Sequence, residues 1–429
     1  MSRAADRRGG GGRVRERSGL DRSVWALLGL GLLIRAVLLP TAGYGPDVAF
    51  WKSLLTYTHV FGVQDVYAME TPLQPYPPLF VYLLWGLGHL YTLFFSPDDG
   101  SLLTVFVKAP AVAGDLLAAL LLARFALRRA GAETLAPLKA AGLLVLHPVL
   151  IWISAHWGQV DVLHAAIAAG AWGAALSGTP VLAGILLALG VLMKPQGLIV
   201  LPAAVALLLA RSGSRGLLRA VAAGTAIFAL LLVPFLVAGH ARALVDLYAG
   251  AAARYPYLSV YAFNPWWIVS LLAGGGRDAA LIPDDGGIGA LATPRFLGAV
   301  LFLAATVWIA ARLALRAGAG TFTDARGWRL LTLQWFAFFL LPTHVHERYL
   351  VPALLSLAPA VILEPRWVKP YLLLSLCILL NVIYVFPGAP WLLWAARILS
   401  GEGVLVALVL SGLALLLVRA EIREGAGDG

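Results

Sequence analysis

The sequence predicts an all-α polytopic membrane protein of about twelve spanning helices, within a range of roughly eleven to fourteen. Three observations carry this expectation. Of 429 residues, 60% are hydrophobic and 13% charged, against roughly 45–50% and about 25% in soluble domains, which excludes a water-soluble globule. The apolar residues form continuous Leu- and Ala-rich runs without strand-like alternation, so the spans are helices and not barrel strands. The charges, net +10, sit in short clusters between those runs, and no nucleic-acid partner is expected.

In chain order, residues 1–22 hold seven arginines and a glycine tetrad at 9–12; this composition cannot bury a core and reads as a disordered basic cytoplasmic arm. The run 23–40 lacks a small-residue cleavage site and reads as an uncleaved signal anchor whose basic flank stays in the cytoplasm. Further runs near 78–95, 102–125, 139–155, 159–177, 180–194, 197–210 and 218–238 approach the ~20 residues needed to cross ~30 Å of hydrocarbon. The series continues near 296–316, 328–343, 349–364, 370–386 and 402–418, with a short stretch at 265–273. One transmembrane domain over 23–420 results, with an external loop at 41–77 and a cytoplasmic tail at 421–429. Cys377, the lone cysteine, falls inside an apolar run and has no intrachain partner.

Lysine and arginine accumulate in cytoplasmic loops. The arm, 124–139, 211–219, 312–329, 364–369 and the segment from 419 hold 22 of the 32 basic residues. All lie on one side only if two runs, not three, cross between the arm and Arg124. The Pro77-Pro78-led stretch 78–95, rich in Trp and Tyr, is the natural segment to lie in the interface or dip and return. Twelve crossings then leave both termini in the cytoplasm, in a plasma membrane; high Ala, Leu, Gly and Arg with a single Cys suits a bacterial inner membrane.

With that orientation the unusual polar residues segregate to the outer side: Tyr44-Gly45-Pro46-Asp47, Tyr76-Pro77-Pro78, Trp157-Gly158-Gln159-Val160-Asp161, Lys194-Pro195-Gln196, the stretch from Arg254 to Asn264, and His344-Val345-His346-Glu347-Arg348. Ionisable groups at membrane depth are costly enough to need a partner or a use. The spacing of Phe50, Trp51, Leu54, Leu55 and Thr58 predicts an amphipathic helix in the first loop. Asp47 begins it, either as a plain N-cap or as a carboxylate serving as general base. Asp161 reads as a cap or a site residue. Lys194, at a helix end on the outer side, calls for an anionic partner, and Arg348 has the paired donors to clamp a phosphate. His344 and His346 are two apart and form no His-Glu-x-x-His zinc signature, so no metal site is assigned and a divalent cation is left open. Lys108 and Asp115, seven apart on one helical face, read as a buried structural pair or as a polar helix-packing contact.

These residues, in this order, resemble the GT-C superfamily of membrane glycosyltransferases, and within it bacterial mannosyltransferase-like proteins related to the second mannosyltransferase of glycosylphosphatidylinositol assembly. The resemblance covers about 23–364. It rests on the early loop acid Asp47, Tyr76-Pro77-Pro78, His147-Pro148 leading to Trp157 through Asp161, Lys194-Pro195-Gln196, Tyr255-Pro256-Tyr257 to Asn264, and His346-Glu347-Arg348-Tyr349. It implies a GT-C-like fold and inverting transfer of a mannose-like hexose from a polyprenyl-phosphate donor to a lipid-linked or other envelope acceptor on the non-cytoplasmic face. Asp47 matches the first-loop acid that deprotonates the acceptor, although the Val48-Ala49-Phe50 that follows is less polar than in many relatives. Lys194 and Arg348 are the expected phosphate contacts. Gln159, Asp161, His346, Glu347, Tyr76, Arg254 and Asn264 are the expected substrate-orienting residues. The absence of a Gly-x-Gly-x-x-Gly strand-to-helix fingerprint agrees with a lipid donor. The competing classes are a secondary transporter of a small polar or anionic solute and a non-catalytic scaffold; the lack of a clear repeat between the halves, and polar residues gathered at one face and not at the midplane, count against the former.

Overall fold

A computed structural model describes residues 20–69, 76–96, 100–129, 135–251, 254–286, 293–317 and 322–427. The basic arm lies outside them except for its last three residues. The chain is helical, and among the described residues no β-strand forms, only isolated bridges. The helices are α1 (Arg22–Leu38), α2 (Gly45–Phe61), α3 (Pro78–Thr92), α4 (Ser101–Arg129), α5 (Ala136–Val145), α6 (Pro148–Ile151), α7 (Asp161–Leu176), α8 (Pro180–Met193) and α9 (Leu201–Val237). They continue as α10 (Ala241–Ala249), α11 (Pro265–Leu272), α12 (Pro294–Arg316), α13 (Asp324–Leu340), α14 (Val351–Leu363), α15 (Val368–Val385), α16 (Pro390–Ser400) and α17 (Val404–Gly427).

Among the described residues, five helical segments are long and apolar enough to cross a membrane: Ser101–Arg129, Pro195–Val237, Pro294–Arg316, Pro365–Val385 and Val404–Gly425. A sixth is obtained if Ala136–Val145 and Pro148–Trp157, bent by 43°, count as one. Their outer faces carry exposed leucines such as Leu230 at 65% and Leu303 at 63%. This is the surface of a helical membrane protein, since a water-facing wall of that kind would be costly. Several runs are divided differently from the sequence expectation. The run near 139–155 breaks at Leu146-His147 because Pro148 supplies no N–H to continue α5. The runs near 197–210 and 218–238 are two arms of α9 that meet at Gly213, whose φ of 66° only glycine adopts readily. At 15 and 8 residues, α3 and α11 reach roughly 22 and 12 Å at 1.5 Å per residue, short of a crossing.

The amphipathic helix expected in the first loop forms, and its apolar face is packed against protein. Trp51, Leu54 and Leu55 of α2 are fully covered and meet Phe80 and Leu84 of α3 in one cluster. A second, larger cluster joins α1, α4–α9 and α11–α17. Cys377 is free and buried. The tail differs most from expectation. Instead of leaving the bundle at 421, α17 runs on, and Glu421 accepts from Arg326 Nη2 at 2.8 Å and Arg312 Nε at 3.0 Å. Arg329 is likewise held between Glu364 and Glu424. Buried arginines require counter-charges, and the end of α17 supplies them. Glu421→Gln should therefore cost about 2–3 kcal/mol, read as a lower melting temperature in detergent. An unchanged melt would show that these pairs are solvated and unimportant.

Candidate functional site

The site is assembled where α1 gives way to α2 and where α6 runs into a single π turn, Trp152–Trp157. Gly158 turns the chain with φ 101°, and the N–H groups of Gly158 and Gln159 both return to the Ile153 carbonyl at 3.0 and 2.8 Å. π turns often occur at functional positions because they re-aim side chains. Here the turn presents Trp157 and Gln159 to α2. Tyr44 N donates to the Trp157 carbonyl at 3.0 Å, and the two rings lie 4.9 Å apart.

Asp47, in the first turn of α2 and partly exposed, is not the helix cap. Its Oδ2 accepts from Trp157 Nε1 at 3.0 Å and from Gln159 Nε2 at 2.6 Å. Both bonds land on one oxygen, which leaves Oδ1 as the atom able to take a proton. Tyr76 stands against the same group. Burial raises its hydroxyl pKa, and the Asp47 charge adds to the rise.

The second half is an ion network. Lys194 Nζ donates to Asp161 Oδ1 at 2.6 Å, so Asp161, the first residue of α7, is an ion-pair partner and not a cap. Arg348 Nη1 donates to Glu347 Oε1 at 2.5 Å. Arg348 Nε stands 3.3 Å from Asp161 Oδ2, yet neither atom makes an aligned hydrogen bond. The guanidinium also lies over the Trp157 ring, 5.5 Å from its centre. Through that ring Asp47, Arg348, Glu347, Asp161 and Lys194 form one connected group, with three carboxylates against two cations. The expected phosphate contacts are therefore not bare: each is already seated on an acid, because an uncompensated cation at this depth is costly. Burial alone would raise the Glu347 carboxyl, but the Arg348 charge beside it outweighs this and holds it down at about 2. Burial lowers the His346 pKa from its ordinary value. Its 3.6 Å approach to Glu347 is then not an ion pair at neutral pH.

The loop bearing these residues is fixed from behind. Val260 N donates to the Val345 carbonyl at 3.0 Å, and His344 N donates to the Tyr257 carbonyl at 3.1 Å. The fully buried Asp284 takes Thr343 Oγ1 at 2.6 Å, Arg295 Nη2 at 2.6 Å and His344 Nε2 at 3.0 Å. His344 is thereby turned away from His346, and among the described residues no group of three or more His, Cys, Asp or Glu is placed to hold a metal ion.

Two expected site residues stand apart. Both polar atoms of Asn264 are used in the fold: Oδ1 caps α11 at Trp267 N, 3.0 Å, and Nδ2 donates to the Phe339 carbonyl, 2.9 Å. Arg254 lies over Tyr255 at 5.9 Å, one ring removed from His346, which Tyr255 meets edge-on at 4.5 Å. Lys108 and Asp115 are both structural but do not pair: Asp115 takes Arg35 Nε at 2.6 Å. Tyr44 and Trp157 fall in the outer-side segments that the sequence singles out, but neither was assigned a site role there, since nothing local shows that their backbones and rings would meet beside Asp47. No protein-family model matches the chain, and no curated protein matches it.

Proposed function

We propose that this chain is an integral-membrane glycosyltransferase that moves a mannose-like hexose from a polyprenyl-phosphate donor to a lipid-linked or other envelope acceptor on the non-cytoplasmic face, with inversion. The observation that carries the reading is the joining, through Trp157, of one oriented, partly exposed carboxylate to two cations, the buried Lys194 and the partly exposed Arg348. In the reaction, Asp47 Oδ1 removes the acceptor hydroxyl proton as that oxygen attacks the anomeric carbon. The bond from this carbon to the phosphate oxygen breaks, and the electron pair leaves with the lipid phosphate. Such a leaving group is already charged and needs donors near its oxygens. The guanidinium has five N–H bonds, of which the Nη1 bond to Glu347 occupies one, so Arg348 retains donors for phosphate while its acids fix its position. Gln159, Asp161, His346, Glu347 and Tyr76 surround the sugar in this scheme, and Arg254 lies at its edge.

The proposed topology counts α1, α4, α5 with α6, α7, α8, the two arms of α9, α12, α13, α14, α15 and α17 as about twelve crossings, the shorter ones tilted or locally thinning the bilayer. That count sets both termini and the Arg129, Arg211, Arg326 and Arg329 ends in the cytoplasm, and the Asp47 group outside, as the positive-inside bias requires. The test is transfer by the purified, reconstituted protein from a panel of polyprenyl-phosphate hexoses, with and without a divalent cation. Product from at least one lipid-linked donor is expected. Product from nucleotide sugars only overturns the donor assignment, and solute uptake without transfer replaces the enzyme with a secondary transporter.

A further inference from the structure

Lys108 of α4 is fully buried. Its Nζ donates to the Thr41 carbonyl at 2.7 Å and the Ala155 carbonyl at 3.1 Å, and it lies 3.3 Å from Thr41 Oγ1 and 3.4 Å from the His156 carbonyl. All four are uncharged oxygens. An ammonium has three donors and no acceptor, and burying it without an opposite charge is tolerable only where dipoles converge on it. Ala155 and His156 lie at the end of the π turn, where carbonyls are free and the helix dipole is negative. Thr41 lies three residues before Tyr44. The stem of Lys108 passes between two glycines. A Cβ at Gly43, φ 72°, would come 2.7 Å from the Trp157 carbonyl and 2.8 Å from Lys108 Cε, and one at Gly158 would come 3.1 Å from Lys108 Cγ.

The segments that Lys108 joins are the two that meet at Asp47. We propose that Lys108 is a positioning residue whose buried ammonium pins the Thr41 turn to the end of the π turn, and so sets Asp47 within hydrogen-bonding distance of Trp157 and Gln159. It acts through the backbone and touches none of the reacting groups. The inference deepens the glycosyl-transfer reading and rests on it for the kinetic readout alone.

The full-length protein, labelled with 5-fluorotryptophan and reconstituted, supplies a readout independent of activity: the Trp157 resonance, identified by its loss in Trp157→Phe. Asp47→Ala marks its position without the Asp47 bond. Lys108→Met is expected to move the resonance toward that position and to lower kcat by roughly tenfold or more with donor KM within about twofold, the pattern of a misaimed base. Lys108→Arg should restore part of both. Lys108→Gln, which keeps donors for the same carbonyls without the charge or the full reach, should shift the resonance in the same direction and decides the matter if Lys108→Met does not fold. A wild-type resonance and kcat in folded Lys108→Met, or an equal shift from the remote core substitution Leu374→Ala, overturns the proposal. A wild-type protein without transfer activity would refute the enzyme reading while the resonance still decides Lys108.

Discussion

Asp47→Asn is expected to lower sugar transfer by about 10²–10⁴-fold, the range supplied by a positioned general base, with donor binding and melting temperature close to wild type. The substitution is nearly isosteric, and its side-chain carbonyl can still accept from Trp157 and Gln159, whose bonds to Asp47 span 3.0 and 2.6 Å. What it removes is the second oxygen's capacity to take a proton. The loss should therefore appear in kcat and kcat/KM together, as for an interaction made only in the transition state. Single-turnover transfer with a lipid-linked donor is the measurement. Turnover at the wild-type rate would take Asp47 out of the chemistry and leave the network as an ion-binding or structural feature.

Asp115→Ala should be the most destabilising single change, by about 3–5 kcal/mol, because it leaves a guanidinium buried without its counter-charge. Neither side chain of the Arg35–Asp115 pair reaches solvent. Asp115 Oδ2 receives both Arg35 Nε at 2.6 Å and Ser154 Oγ at 2.5 Å, and Arg35 Nη1 also donates to the Val145 carbonyl at 2.7 Å. The pair thus ties α1, α4, α5 and the π turn together. The double replacement Arg35→Leu with Asp115→Leu should recover most of the loss, since a packed apolar pair is often no worse than a buried ionic one. Thermal unfolding in detergent tests both variants. A loss under about 1 kcal/mol for Asp115→Ala would mean that water reaches Arg35 and that the knot is not sealed.

Much of the candidate group was legible in the chain because charges are costly at membrane depth and therefore conspicuous: Asp47, Asp161, Lys194, Glu347 and Arg348 stand out against apolar surroundings. Their partners were less legible. Lys108 and Asp115 share a helical face seven residues apart, which suggested a pair, but Arg35 is 80 positions from Asp115, and nothing local announces such a contact. Asn264 sat among polar loop residues and looked like a substrate contact until its cap and its bond to Phe339 accounted for it. Glu421 read as tail because a sequence window does not register arginines from other helices.

The sequence by itself determined that the chain is helical, that it is built for a membrane, and that its basic residues segregate from the Asp47 and Arg348 segments. Composition and run length are local quantities, and the bilayer imposes the same demand on each run independently. Only the tertiary structure decided which acid answers which base, that Asp47 rests on Trp157 and Gln159, and that α17 closes the opposite end of the bundle through Glu421 and Glu424. Pairing energies depend on distance and burial, and both are set by how remote helices pack together.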